Sequence, residues 1–219
     1  MARAAADTLP RMADERGRFI VLEGIDGAGT TTQAALLADA LRERLGVAVE
    51  LTREPTDGPL GRLLRAALAG ELRLDPVALA LAFAADRADH VHNPETGIAA
   101  ALAAGRWVVS DRYLLSSLAY NRGGVVTRDW LSAINRHALA PDLTLFLAID
   151  PRVALERIAA RGGAPELFET REQLVAIDRA YRELIGDGAV EGPLLPLDGA
   201  ASVEQVADAI WRAVESTRQ

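Results

Sequence analysis

Short apolar runs alternate along the chain with longer stretches in which apolar residues return every three to four positions. Runs of about five apolar residues suit strands buried on both faces, and the 3.6-residue period suits helices that cover them. The pattern therefore predicts βα units on a largely parallel sheet. Strands are expected at Phe19–Glu23, Ala48–Thr52, Trp107–Ser110, Leu143–Ile149 and, with a weaker pattern, Leu194–Leu197. Helices are expected at Thr31–Leu45, Leu60–Leu68, Pro76–His90, Pro94–Ala104, Leu114–Tyr120, Arg128–Ala138, Pro151–Arg161, Arg171–Ile185 and Val203–Thr217. Asp75 before Pro76 and Asp150 before Pro151 each join an N-capping carboxylate to a proline at the first helical position.

No internal repeat and no Pro-, Gly- or Ser-rich linker divides the sequence, so residues 18–219 are expected to form one domain. Met1–Gly17 carries Asp7, Pro10, Asp14 and Glu15 where a signal peptide needs its apolar stretch, and reads as a flexible extension. Gly162–Glu169 interrupts two helical patterns and is the expected mobile segment.

Composition narrows the function. Half of the 219 residues are apolar, enough to close a core and to exclude a disordered chain. No apolar run reaches the roughly 18 residues that span a bilayer, so no membrane partner is expected. With 31 acidic and 24 basic side chains the net charge is −7, which argues against a nucleic-acid partner held through its phosphates. Cysteine is absent, which removes disulfides, thiolate nucleophiles and cysteine-based metal sites and favours the cytoplasm. Lysine is absent too, so all 24 basic side chains are arginine. Any phosphate held here must be met by arginine, a metal ion or the backbone.

The first strand runs into Gly24-Ile25-Asp26-Gly27-Ala28-Gly29-Thr30-Thr31 and then a helix. Position and glycine spacing match the phosphate-binding loop G-x-x-x-x-G-K-[ST], whose backbone N–H groups wrap phosphate oxygens at a helix N-terminus. Thr30 stands where that pattern has lysine, while Thr31 keeps the hydroxyl that would ligate Mg²⁺. Gly24, Gly27, Ala28, Gly29, Thr30, Thr31 and Thr32 are the expected ATP phosphate cradle. Three further segments follow in order: Thr52-Arg53-Glu54-Pro55, Phe83-Ala84-Ala85-Asp86-Arg87, and Asp111-Arg112-Tyr113 continuing to Tyr120. Each puts an arginine at the C-terminal edge of the sheet or on a helix facing it, where open α/β sheets bind ligands.

With these motifs in this order, the chain from about Phe19 to Tyr181 resembles the thymidylate kinases, which convert dTMP to dTDP. The resemblance implies an α/β, P-loop NTPase-type three-layer sandwich, with a five-stranded parallel sheet and a small lid at about residues 161–171. It implies ATP as donor, dTMP as acceptor, Mg²⁺ as cofactor and a homodimer. Carried over residue by residue, it places Asp26 at the acceptor 3′-hydroxyl, Arg53 and Arg112 on the acceptor phosphate, and Phe83 against the thymine ring. Arg87 would donate to a base carbonyl, Ser116 would line the dTMP site, and Tyr120 would crowd a 2′-hydroxyl. Asn121 follows where glutamine is common in the family. Glu23 and Asp111 join Thr31 as candidates for the magnesium shell. Read alone, Phe83 fits a core position, Arg87 beside Asp86 fits a solvated face, and Glu23 fits a buried structural acid. His90, His92 and His137 have no evident carboxylate partner and read as structural or surface residues.

The missing lysine asks for a substitute cation. Some members of the family carry an arginine inside the loop and others supply it from the lid; Gly27 occupies that internal position, so the chain resembles the second kind. Arg157 and Arg161, four residues apart on one helical face, are the candidates, with Arg171 a further one. The sequence departs from the lid pattern at Glu166-Leu167, where many such members have Asp-Arg. The expected catalytic set is thus Asp26, Arg112, Arg157 and Arg161. The alternative is a nucleotide-binding chain of the same fold with weak or no turnover. Apolar faces at Pro76–His90 and Leu114–Tyr120 are candidate dimer surfaces.

Overall fold

The structure, a computed structural model, describes residues 16–162, 167–168, 170–189 and 191–217. Five parallel strands form one sheet: β1 (Phe19–Glu23), β2 (Val49–Arg53), β3 (Trp107–Asp111), β4 (Leu143–Ala148) and β5 (Leu194–Asp198), in the order β2-β3-β1-β4-β5. The helices between them are α1 (Thr30–Leu45), α2 (Pro59–Leu68), α3 (Pro76–His92), α4 (Ile98–Ala103), α5 (Leu114–Tyr120), α6 (Arg128–Ile134), α7 (Pro151–Arg161), α8 (Arg171–Gly186) and α9 (Val203–Ser216).

Alternation along β1 divides the core. Ile20 and Leu22 pack with Leu37 and Leu41 of α1 and Val206 and Ile210 of α9, whereas Phe19 and Val21 pack with Val91, Ile98, Leu102 and Tyr113 on the opposite face. Every β1 side chain is buried, as a central strand covered on both faces requires. The chain builds β2 and β3 on one side of β1 and β4 and β5 on the other, so a crevice opens above the C-terminal end of β1. Register pairs Leu22 with Asp111 and Arg53 with Asp111, which brings the ends of β1, β2 and β3 to one level.

Asp75 and Asp150 cap their helices, accepting from the N–H groups of Val77 and Arg152 at 2.9 and 2.8 Å. Two helices are shorter than their periodicity suggests. The Asn93 side chain accepts from the N–H groups of Glu95 and Thr96, both at 3.1 Å, which ties 93–97 into a turn and delays α4 to Ile98. Asn135 turns inward and donates to Leu131 O at 2.8 Å, ending α6 at Ile134. Residues 1–15 of the expected extension lie outside the described residues, but Arg16 pairs with Asp142 and Gly17 donates to Leu102 O at 2.9 Å, so its end is anchored. Residues 163–166 and 169 of the expected lid, Glu166 among them, also lie outside. Leu167 donates to Leu68 O at 3.0 Å, and Phe168 meets Tyr120 edge-on with ring centroids 5.4 Å apart. No helix among the described residues is long and apolar enough to cross a membrane.

Candidate active site

The loop from Gly24 to Gly29 turns β1 into α1 through two left-handed glycines, Gly27 at φ 83° and Gly29 at φ 94°, a conformation that costs glycine little. Gly29 offers no side-chain cap, so the first N–H groups of α1 are left for a ligand. They face a cavity of about 660 Å³ lined by Gly27, Ala28, Gly29, Thr30, Thr31 and Thr32 and also by Arg157 and Arg161. Thr30 is buried there. The Thr31 hydroxyl donates to Asp111 Oδ2, while Asp111 Oδ1 is buried and has no partner among the described residues. Arg157 reaches across to the β5–α9 turn, donating to Gly199 O at 2.9 Å and Ala200 O at 3.4 Å.

A second, smaller cavity of about 140 Å³ is lined by Asp26, Phe83, Arg87, Arg112, Ser116 and Tyr120, and also by Glu54, Asn121 and Phe168. Asp26 and Arg112 line both cavities and stand at their junction. Arg112 takes a left-handed backbone, φ 69°, unusual for a side-chain-bearing residue. Its guanidinium donates to Gly24 O at 2.7 Å and pairs with Asp26 at 2.7 Å. Tyr120 lies under it, 5.1 Å from the ring centroid, and its hydroxyl donates to Asp26 Oδ2 at 3.1 Å. Burial opposes the Arg112 charge, but Tyr120, Asp26, Tyr181 and Asp111 outweigh it and hold its pKa well above the ordinary value. Burial likewise raises the Tyr120 phenol, so it remains a donor to Asp26.

At the far end of this cavity Arg87 is almost wholly enclosed. It forms an ion pair with Glu54 and donates to Asn135 Oδ1 at 2.6 Å, Ser117 Oγ at 2.9 Å and Tyr113 O at 3.0 Å. Its Nε is buried without a partner among the described residues, as is Asn121 Oδ1. The Asn121 amide is oriented by its Nδ2, which donates to Ser117 O at 3.1 Å.

A family model described as Thymidylate kinase matches residues 22–210. The chain belongs to the thymidylate kinase family. It is 40% identical over 205 residues to a "Probable thymidylate kinase" of Pyrococcus abyssi, covering 91% of this chain and 97% of that protein. It is 39% identical over 219 residues to a "Thymidylate kinase" of Bradyrhizobium sp., covering 95% and 94%. A "Probable thymidylate kinase" of Pyrococcus horikoshii is 42% identical over 172 residues, covering 76% and 80%.

The structure places two further candidate residues of the resemblance, Glu23 and Arg53, against protein partners. Glu23 is surrounded by donors. Its carboxylate accepts from the N–H groups of Tyr113 (3.0 Å) and Ser116 (3.1 Å) and from the hydroxyls of Ser116 (2.6 Å) and Tyr181 (3.0 Å), so it holds the start of α5. Burial raises its pKa against the pull of Ser116 and Arg112. Arg53 is not among the residues that line the smaller cavity. It pairs with Asp57 at 2.7 Å and borders a neighbouring hollow with Thr31 and Asp111. Arg87 is buried rather than on a solvated face, because Glu54 neutralises it.

Four residues around the site were given no site role from the sequence: Glu54, His90, Asn135 and Tyr181. His90 does have a carboxylate partner, Glu54, with Nδ1 3.0 Å from Oε1. Glu54 stands in a motif already singled out, and its position just after β2 was the available signal. Tyr181 and Asn135 lie 69 and 48 residues from the arginines they contact, and no local pattern marks them. The apolar side of α5, Leu115, Leu118 and Ala119, is buried in the core, which removes it as a dimer surface.

Proposed function

We propose that this chain transfers the γ-phosphoryl group of ATP to dTMP, with dTMP in the smaller cavity and the ATP phosphates in the larger. The observation that carries this reading is the junction: Asp26 and Arg112 border both cavities, so a phosphoryl group passing between them meets a guanidinium held at 2.7 Å from Asp26. A phosphate acceptor is already ionised, so the site needs positioning and charge rather than a general base. Arg112 binds the acceptor phosphate, Phe83 and Tyr120 flank base and sugar, and Arg157 and Arg161 neutralise the donor phosphates in place of the P-loop lysine. Ser116 helps hold Arg112, its Oγ 3.2 Å from the guanidinium.

The base end suits thymine. A donor, Arg87 Nε–H, and an acceptor, Asn121 Oδ1, are both buried and unpaired there among the described residues. Thymine offers the complementary pair, the O4 acceptor and the N3–H donor, whereas cytosine reverses both. Leaving two buried polar groups unpaired costs about 1–3 kcal/mol each, so dCMP is disfavoured.

Thr31 and Asp111 fit a magnesium ion. Asp111 has one buried oxygen without a partner, and hydroxyl and carboxylate oxygens are the donors this cation prefers. Bound there, Mg²⁺ supplies charge neutralisation on the donor phosphates. We also propose a cytoplasmic homodimer joined through α2 and α3, where Leu60, Leu63 and Leu81 are exposed.

A coupled assay with ATP, Mg²⁺ and dTMP tests the reading. ADP release dependent on dTMP is expected, with dCMP a poor acceptor. No ADP above background would leave a nucleotide-binding chain without turnover, and equal rates with dTMP and dCMP would remove Arg87 and Asn121 as base readers.

A further inference from the structure

We infer that His90 is a positioning residue for recognition of the acceptor base, acting on Arg87 through Glu54. The inference rests on the reading that Arg87 Nε–H addresses the base. His90 lies three residues after Arg87 on α3, on the same face. Both ring nitrogens are engaged: Nδ1 stands 3.0 Å from Glu54 Oε1 and Nε2 stands 2.7 Å from Thr52 Oγ1. Thr52 and Glu54 are two residues apart at the end of β2, so the ring is braced against the strand that presents the carboxylate. All three members of the ion-paired group are nearly sealed from solvent, with side-chain exposures of 2% for Arg87, 4% for Glu54 and 7% for His90.

This arrangement settles which guanidinium nitrogens are spent. Glu54 Oε2 meets Arg87 through the outer nitrogen Nη2, which Tyr113 O and Ser117 Oγ also engage, and Asn135 takes Nη1. Nε is the one guanidinium nitrogen with no partner among the described residues. A carboxylate and a guanidinium ordinarily prefer the two-bond fork, and with Nη1 held by Asn135 the fork open to Nη2 is the side-on one with Nε. His90 prevents this by holding Oε1. With His90 removed, Oε1 is a buried carboxylate oxygen without a donor, a costly state that rotation onto Nε relieves. The rotation consumes the Nε donor that the proposed reading gives to the base. Base recognition is thereby lost although Arg87 and Glu54 are both present.

The test uses the full-length protein and steady-state kinetics with dTMP, dCMP and ATP. His90→Leu is expected to raise the KM for dTMP about tenfold, to change kcat and the KM for ATP far less, and to cut the dTMP-over-dCMP preference about tenfold. His90→Asn, whose amide can donate from the Nδ1 position, is expected to recover most of that preference. Thr52→Val, which keeps the side-chain size and releases only Nε2, carries the test if His90→Leu does not fold, with an expected loss of about threefold. Arg87→Leu separates the two readings. If it abolishes the base preference while a folded His90→Leu or Thr52→Val retains it, the positioning role is overturned. If Arg87→Leu itself keeps the preference, the assignment of Arg87 to the base fails, and the role of His90 with it.

Discussion

A Cβ on Gly27 would stand 2.5 Å from the carbonyl oxygen of Ala154. The phosphate-binding loop and α7 therefore touch backbone to backbone, and α7 carries Arg157 and Arg161 into the donor cavity from that contact. The absence of a side chain at 27 is what lets the helix sit low enough. Gly27→Ala adds a methyl group into this contact at a φ of +83°, so both the space and the backbone resist it. A loss of about 1–3 kcal/mol is expected, together with a fall in kcat larger than any rise in the KM for dTMP. Thermal denaturation and steady-state kinetics check this, and a variant with the parental Tm and kcat would show that α7 does not depend on the contact.

Arg161 and Thr30 line one cavity, and they are expected to be coupled. Arg161→Ala removes a cation from the donor phosphates and should lower kcat about 10²-fold while leaving the KM for dTMP nearly unchanged. Thr30→Lys restores a cation to that cavity. In that background the same alanine substitution should cost markedly less, a non-additivity that a double-mutant cycle reads directly. Additive effects would mean that the two positions act on different charges.

Much of the fold was legible because the deciding information was local. Apolar runs marked β1, β3 and β4, Asp75 and Asp150 marked helix starts, and Gly27 and Gly29 marked the turn over α1. Boundaries slipped where a side chain competed with the helix, as Asn93 and Asn135 do. Within the site, Asp26, Arg112 and Tyr120 converge as their motifs implied. Arg53 pairs instead with Asp57 four residues later and lines a neighbouring hollow with Asp111. The Glu54–Arg87–His90 group was hidden because its burial depends on β2, α3 and α5 closing over it, and no residue spacing reports that.

Asp111 joins Thr31 by one carboxylate oxygen and leaves the other buried and unpaired among the described residues. Turnover should vanish with excess chelator and return with added Mg²⁺. Asp111→Asn should raise the Mg²⁺ concentration needed for half-maximal rate by about 10–100-fold, since an amide binds a hard cation less well than a carboxylate. A parental Mg²⁺ requirement in a folded Asp111→Asn protein would remove Asp111 from the metal shell.

Glu23, at the end of β1, titrates as a structural acid. Burial lifts its pKa above the ordinary 4.5, with the Ser116 hydrogen bond and the Arg112 charge opposing. An unfolded chain ionises this group first, while the folded chain keeps its proton to higher pH. Its contribution to stability is therefore fully present below 4.5 and is lost as pH rises through the raised folded value. Glu23→Gln has no such titration. Urea midpoints of the two proteins, measured from acid to neutral pH, should diverge across that window, the parent losing ground as pH rises, and run parallel outside it. A slope of the opposite sign would mean that the four donors around the carboxylate hold it anionic throughout. In either case the Mg²⁺ requirement of Glu23→Gln should match the parent's, because every side-chain bond Glu23 makes among the described residues is to Tyr113, α5 or α8 rather than to the Thr31–Asp111 pair.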